Sequence, residues 1–251
     1  MPATRGWVRR FHTGPDGADV PAFVVFPHAG SGASAYRALS ERLSKVADVL
    51  VLQYPGRQDR MAEPALGTIP EIASGAAPDV ATELRGRKPI LFGHSMGAIA
   101  AFETARLFEA AGIPVRRLAV SAAVPPSMVA DLPPHPKTDE ELLAHMAQLG
   151  GTEASVGADD TIMRMALPAM RADFGAFDAY SCEPGVTVAA PVTVLGGRDD
   201  PAVPVGRLHG WAGHTTAEAD VTVFPGGHFY YNDQLDRFAS VLTADLAEAT
   251  A

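Results

Sequence analysis

Ser95 stands between two glycines, in Gly93-His94-Ser95-Met96-Gly97, after an apolar run at 89–92 and before an alanine-rich amphipathic stretch that ends near Gly112 and Pro114. A serine hydroxyl is a weak nucleophile unless a base takes its proton and a carboxylate orients that base. His228 follows "VTVFPGG", where Gly226 and Gly227 let the backbone turn an imidazole back over the end of a strand. Asp199 and Asp200 close "VTVLGGRDDPAV", and spacing alone leaves either carboxylate able to face His228. Side chains of these three types suit acyl transfer through an ester formed on Ser95.

The surrounding pattern decides whether the serine is presented for attack. A strand running directly into a helix needs a tight turn at Ser95, and glycines two positions either side remove side chains that would collide there. Gly-x-Ser-x-Gly in that context is the nucleophile elbow of α/β-hydrolases, in which the acid and then the histidine follow the serine along the chain. That order favours His228 over His12, His28 and His94, which precede Ser95. His135 and His145 fall in an irregular insertion, while His209 and His214 sit on an expected surface helix. These others read as solvated or structural, with His28 and His94 flanking the site.

Hydrolysis through an oxyanion needs two backbone donors, one following the nucleophile and one from the loop after an early strand. Met96 and Ala29 supply them, the latter from "FPHAGSGASAY". That loop lacks both a P-loop lysine pattern and a Gly-x-Gly-x-x-Gly fingerprint, which argues against a phosphate cradle.

The elements that must hold these groups recur as short β-branched runs alternating with helical patterns, the mark of a mostly parallel sheet with helices on both faces. Strands are expected at 22–27, 48–55, 89–94, 117–122, 191–197 and 220–227, with "GWVRRFHT" antiparallel near an edge. Helices are expected at 34–46, 70–85, 95–111, 204–214 and 231–248. The alternation stops between about 125 and 184, where a proline-rich entry leads to a capping box at Thr138 and Glu141 and a second helix broken or bent near Pro168. This helical insertion is read as a lid on one α/β-hydrolase domain spanning 1–251.

Composition narrows the partners. The chain has 251 residues, 47% of them hydrophobic and 20% charged, and a net charge of -9. That acidity argues against nucleic acid and anionic membranes, which recruit basic faces. No apolar run approaches the roughly 18 residues of a membrane span, and the N-terminus lacks a secretory pattern. A cytoplasmic monomer is expected. Cys182 is the only cysteine, which excludes an internal disulfide and a thiolate-rich metal site.

Together "FPHAGSGASAY", "QYPGRQDRMAEP", "ILFGHSMGAIAAFE", "SAAVPPS", "LAHMAQLGG", "LPAMRADFGAFDAY", "GGRDDP" and "GGHFY" resemble the type II thioesterases of polyketide and nonribosomal peptide assembly lines. The resemblance covers nearly the whole chain. It implies a Ser95, Asp200 and His228 triad, oxyanion donors at Ala29 and Met96, no metal, and no cofactor beyond the phosphopantetheine carried by the substrate. Partners would be acyl or peptidyl carrier proteins. The implied reaction is hydrolytic removal of aberrant acyl groups from the carrier's arm. The competing readings are a carboxylesterase or lipase acting on oxygen esters, and a catalytically silent docking module. His28 stands where many relatives have Phe, so its side chain is a candidate for the acyl pocket together with Met128, Phe174 and Phe177. Met146, Met163, Met165 and Met170 are further candidates there, and Arg57, Arg60 and Arg171 are candidates for meeting an acidic carrier.

Overall fold

The structure is a computed structural model that describes residues 6–15, 17–150 and 160–248. Seven strands form one sheet in the order β1-β3-β2-β4-β5-β6-β7. They are β1 (Val8–Arg9), β2 (Ala22–Phe26), β3 (Asp48–Leu52), β4 (Pro89–His94), β5 (Arg117–Ser121), β6 (Val192–Gly197) and β7 (Ala219–Phe224). Only β1 is antiparallel, pairing Val8 with Leu52 at the edge; the other pairs are all parallel.

The strands read as continuous apolar runs because both faces are covered. Ala22, Val24 and Phe26 enter one core with α2 (Ile69–Leu84) and α3 (Met96–Ala110), which pack on each other. Phe23 and Val25 enter the other core with α1 (Arg37–Leu43) and the C-terminal helix Leu235–Glu248. Since the parallel strands start with β2, move outward to β3 and then return to β4 on the other side of β2, the strand order reverses between β2 and β4. Open α/β sheets bind ligands at the carboxyl ends of strands at such a reversal. Ser95 follows β4 and His28 and Ala29 follow β2, so both lie there.

Several expected elements are shorter. β3 stops at Leu52, and Gln53 instead turns its side chain to the Ala33 N–H and the Arg57 carbonyl. The expected 34–46 helix starts as a 3-10 turn at Ala33–Tyr36. The expected 204–214 helix is a single α turn, Val205–Leu208, followed by a 3-10 segment, His209–His214. Glycines at 206, 210 and 213 weaken α-helix there. His214 is buried rather than on the surface, bonded to Ser127 Oγ at 2.8 Å and to the Val186 carbonyl at 2.8 Å.

Within the insertion, a 3-10 segment at Pro126–Asp131 precedes α4 (Asp139–Gln148) and α5 (Asp160–Asp178). Thr138 caps α4 by accepting the Glu141 N–H at 3.3 Å, and its hydroxyl donates to the Glu141 carboxylate at 2.7 Å. Of the break or bend expected at Pro168, the break does not occur, as α5 continues through it. A proline costs a helix roughly 3 kcal/mol, but Leu167, Ala169, Met170, Phe174 and Phe177 are buried and hold the helix on its neighbours. α6 is Val205–Leu208 and α7 is Leu235–Glu248.

α7 props the segment after His228: fully buried Phe238 lies 5.2 Å from the Tyr231 ring and 5.7 Å from Phe92. Phe238→Ala should therefore lower stability by about 3–5 kcal/mol, whereas Leu107→Ala on the exposed side of α3 should stay within about 0.5 kcal/mol. Urea unfolding monitored by circular dichroism measures both, and similar values for the two would contradict this account.

Candidate active site

Ser95 has φ 55° and ψ -126°, a conformation that costs a non-glycine residue about 1–3 kcal/mol. Its own N–H is anchored on the Ser121 carbonyl at 2.8 Å. The glycines answer the demand for space: a Cβ on Gly93 would stand 2.1 Å from the Gly97 carbonyl oxygen, and one on Gly97 would stand 2.1 Å from that of Phe26. The second contact also draws the loop after β2 against the start of α3. Met96 opens α3, so its N–H has no intrahelical acceptor and carries the positive end of the helix dipole.

His228 and Asp200 meet across the exits of β7 and β6. A Cβ on Gly197 would lie 2.2 Å from the Gly227 carbonyl oxygen, and the Asp199 N–H donates to the Gly226 carbonyl at 2.9 Å, so the two exits run in contact. His228 Nδ1–H donates to Asp200 Oδ2 at 2.9 Å, with both side chains almost fully buried. Asp200 Oδ1 accepts the N–H groups of Ala202 at 2.9 Å and Val203 at 3.2 Å, which fixes the carboxylate plane. Asp199 is exposed and, among the described residues, accepts the Gly226 N–H alone, at 3.3 Å. With Nδ1 bonded to a carboxylate, Nε2 is the ring nitrogen left with a lone pair.

Uncharged rings surround His228. His94 lies 5.1 Å away and Phe229 5.2 Å, while His28 lies 5.8 Å from His94 and 5.0 Å from Phe229. His94 Nδ1 bonds Ser121 Oγ at 2.9 Å, and that hydroxyl bonds Tyr230 at 2.7 Å. Burial pushes His94 well below the ordinary histidine range, with the charge on His228 adding to it. Burial, followed by the charges of His228 and Arg57, pushes His28 down to about 3. His28 is half-buried by surface area, but its ring is enclosed by these aromatics and by Tyr36, whose hydroxyl lies 2.8 Å from Nδ1. Neither neighbour shares a positive charge with His228 at neutral pH.

The loop from Pro27 to Ala33 is tied down residue by residue. The His28 N–H donates to Tyr36 Oη at 3.1 Å, Gly30 N–H to Asp173 Oδ2 at 2.8 Å, and Ala33 N–H to Gln53 Oε1 at 2.9 Å. Among the described residues the buried Ala29 N–H has no acceptor.

Other candidates are distributed differently. Phe174 is buried in the insertion, stacked on His135 at 4.2 Å, and Phe177 meets the same ring edge-on at 5.8 Å. Met128 lays its methyl over position 210, where a Cβ would come within 3.1 Å of it. Met146 packs on the core beneath the insertion and Met170 covers Gly30. Met163 and Met165 have side chains outside the described residues. Arg57 and Arg60 are corrections. Both are buried, Arg57 against Asp173 and Arg60 against Glu63 with its guanidinium 4.7 Å over Trp7, so neither is free to meet a partner. Arg171 is exposed but paired with Asp139. The sequence reading missed Asp173 altogether, although it stands in line with Met170, Phe174 and Phe177 on the buried stripe of α5. A carboxylate on an apolar stripe signals a buried partner.

Among the described residues there is no helix long and apolar enough to cross a membrane and no group of side chains arranged to hold a metal ion.

A thioesterase-domain family model matches residues 21–246. The chain is 42% identical over 249 residues to the phenyloxazoline synthase MbtB of Mycobacterium tuberculosis, a match covering 98% of this chain and 17% of that protein. It thus spans under a fifth of that relative's length. It is also 38% identical to the thioesterase PikA5 of Streptomyces venezuelae, covering 91% of this chain and 81% of PikA5. Among solved structures, the type II thioesterase BorB from the borrelidin biosynthetic cluster superposes with a TM-score of 0.84 at 38% identity, covering 96% and 98% of the two chains.

Two predictions follow from the geometry of the site. Asp200→Asn should lower turnover by about 10⁴-fold, since the carboxylate that selects the Nδ1–H tautomer is gone, while Asp199→Asn should cost less than about threefold; steady-state kinetics on each variant rank them, and the reverse ranking would remove Asp200 from the site. The second concerns acid stability. The unfolded chain protonates His28 near its ordinary 6.5, whereas the folded chain resists until about 3, so this contribution is complete above the first value and lost as pH falls toward the second. His28→Phe should flatten the decline of melting temperature across that window, and an unchanged slope would show that His28 is not a source of it.

Proposed function

The chain belongs to the thioesterase family, and from that premise we propose that it hydrolyses acyl thioesters held on the phosphopantetheine arm of carrier proteins, clearing aberrant acyl groups from polyketide or nonribosomal peptide synthases. The observation that carries the reading is the buried Asp200–His228 hydrogen bond of 2.9 Å beside a strained, glycine-flanked Ser95. Likeness to PikA5, named a thioesterase, and to BorB, a type II thioesterase, supports the substrate class.

In this mechanism Ser95 Oγ adds to the thioester carbonyl while His228 Nε2 takes its proton. Asp200 holds the Nδ1–H and stabilises the imidazolium without itself being protonated. The carbonyl oxygen becomes an anion between the N–H groups of Ala29 and Met96, which donate to it. Collapse breaks the C–S bond, and His228 returns the proton to the departing thiolate, leaving the acyl group esterified to Ser95. Water then adds with its proton passing to Nε2, the second tetrahedral anion collapses, and the proton goes back to Ser95 Oγ as the carboxylic acid leaves. No cofactor is needed.

The 125–184 insertion acts as the lid. A cavity of about 420 Å³ lies between its Leu132–Pro136 stretch with His145 and the Pro201–Arg207 stretch, beginning one residue beyond Asp200. This is the favoured approach for the arm. Since Arg57 and Arg60 are internal, recognition of the carrier rests on apolar contact and on exposed arginines elsewhere, of which Arg207 lines this cavity.

Ser95→Ala should keep the fold and lose about 10⁴- to 10⁶-fold in turnover of an acyl-loaded carrier protein, together with labelling by a fluorophosphonate. Retention of more than about a tenth of the wild-type rate would end the assignment, by the same comparison. Running simple oxygen esters beside the carrier substrates separates a thioesterase from an esterase.

A further inference from the structure

We propose that Asp173, on the lid helix α5, is a positioning residue for the oxyanion loop, aligning the Ala29 N–H through its bond to the neighbouring Gly30. The inference rests on the reading of Ala29 as an oxyanion donor. Asp173 is 1% exposed and carries two loads at once. Its Oδ2 accepts the Gly30 N–H at 2.8 Å, and its two oxygens grip Arg57 as a fork, Nη1 to Oδ2 at 2.5 Å and Nη2 to Oδ1 at 2.8 Å. Arg57 Nη1 also donates to the Ser31 carbonyl at 3.1 Å, so the pair holds the same loop at two successive residues.

Peptide planarity turns these bonds into an orientation. The Ala29 N–H shares a rigid plane with the His28 carbonyl, and the two point in opposite directions. That carbonyl accepts the Ser31 N–H at 3.2 Å and the Ser31 hydroxyl at 2.9 Å. On the other side of Ala29 the next plane is fixed by Asp173. The only freedom between them is the φ, ψ pair of Ala29, and Gly30 follows with φ at +76°, where a side chain is disfavoured. Met170 closes the remaining room, since a Cβ on Gly30 would come within 3.0 Å of its methyl. α5 thus covers the loop with Met170 and pins it with Asp173, one turn apart.

A purely structural role fits less well. Buried ion pairs contribute little net stability, because desolvating both charges offsets their attraction, and apolar pairs of similar volume often do as well. What an apolar pair cannot do is accept an N–H. Asparagine at 173 can, through its amide oxygen, and leucine cannot.

The test compares Arg57→Met/Asp173→Leu with Arg57→Met/Asp173→Asn, both free of the buried charges. The readouts are kcat and KM on a soluble acyl thioester, affinity for a boronic acid that forms a tetrahedral adduct on Ser95, and affinity for a non-hydrolysable thioether. In the leucine variant kcat and boronate affinity should fall together by about 10- to 100-fold, with KM and thioether affinity changed by less than about threefold. The asparagine variant should regain most of that loss. Equal boronate affinities in the two double variants, or losses shared equally by the thioether, would overturn the proposal. If the leucine variant does not fold, Arg57→Met/Asp173→Ala takes its place under the same criteria. Failure of wild-type protein to bind the boronate through Ser95, shown by equal binding to Ser95→Ala, would instead remove the serine-hydrolase reading beneath it.

Discussion

The Phe26 carbonyl oxygen lies where a side chain at position 97 would have to begin. This backbone contact between the end of β2 and the first turn of α3 is the constraint on which the site depends. It brings the loop holding Ala29 against the helix holding Met96, and it can form only because residue 97 is glycine. The matching contact at Gly93 folds α3 back on β4 and leaves Ser95 at the apex with φ 55°. The strain there is small beside the burial around it. Ile90, Leu91, Phe92 and Ala98 to Phe102 are fully buried on either side of the turn, and the sheet and helix cannot relax the serine without separating.

Around this apex the protein keeps charge out. His94 and His28, both held neutral, sit among the rings around His228, with Phe229 5.2 Å from His94 and 5.0 Å from His28. In the proposed mechanism a second cation beside His228 would oppose formation of the imidazolium that each proton transfer creates. Neutral rings exclude water without that cost, and Asp200, the carboxylate hydrogen-bonded to His228, is proposed to stabilise the transient charge. The Tyr230–Ser121–His94 chain satisfies one imidazole nitrogen deep under the site; His94 Nε2 has no partner among the described residues.

Much of this was legible in the chain, for reasons that differ between elements. The parallel strands announced themselves by β-branched runs, and the elbow by glycine spacing, since both are local demands of backbone geometry. The side-chain partners were less so. Asp199 and Asp200 are indistinguishable by spacing, because the difference lies in which one caps Ala202 and Val203 and thereby turns inward. Arg57 and Arg60 looked like surface cations, yet each finds its carboxylate within the fold, Arg57 across 116 residues and Arg60 three residues away. Long-range pairing leaves no periodic signal. Asp173 did leave one, as a charge on the buried stripe of α5, but its meaning depends on knowing that the helix lies over Gly30. At Pro168 the helix is continuous because tertiary burial outweighed a local propensity.

The pairing of Arg57 with Asp173 also bears on what the site binds when it is not reacting. In the proposed hydrolysis the anion to be stabilised is a tetrahedral alkoxide that exists only during each addition, whereas the product is a permanent carboxylate. An unpaired guanidinium beside the oxyanion loop would attract both. Tight binding of product adds nothing to the rate of the chemical step and slows release, since only interactions stronger in the transition state than in the ground state accelerate it. With Asp173 gripping Arg57 at both oxygens, the loop presents N–H dipoles and no net charge. With Ala29 and Met96 as the proposed donors, such dipoles act over a short range and reward an oxygen seated between them far more than an anion elsewhere near the loop. In the proposed mechanism the buried pair therefore does for the loop what neutral His28 and His94 do for His228: it removes standing charge, so that the charge appearing during reaction is the one the site answers.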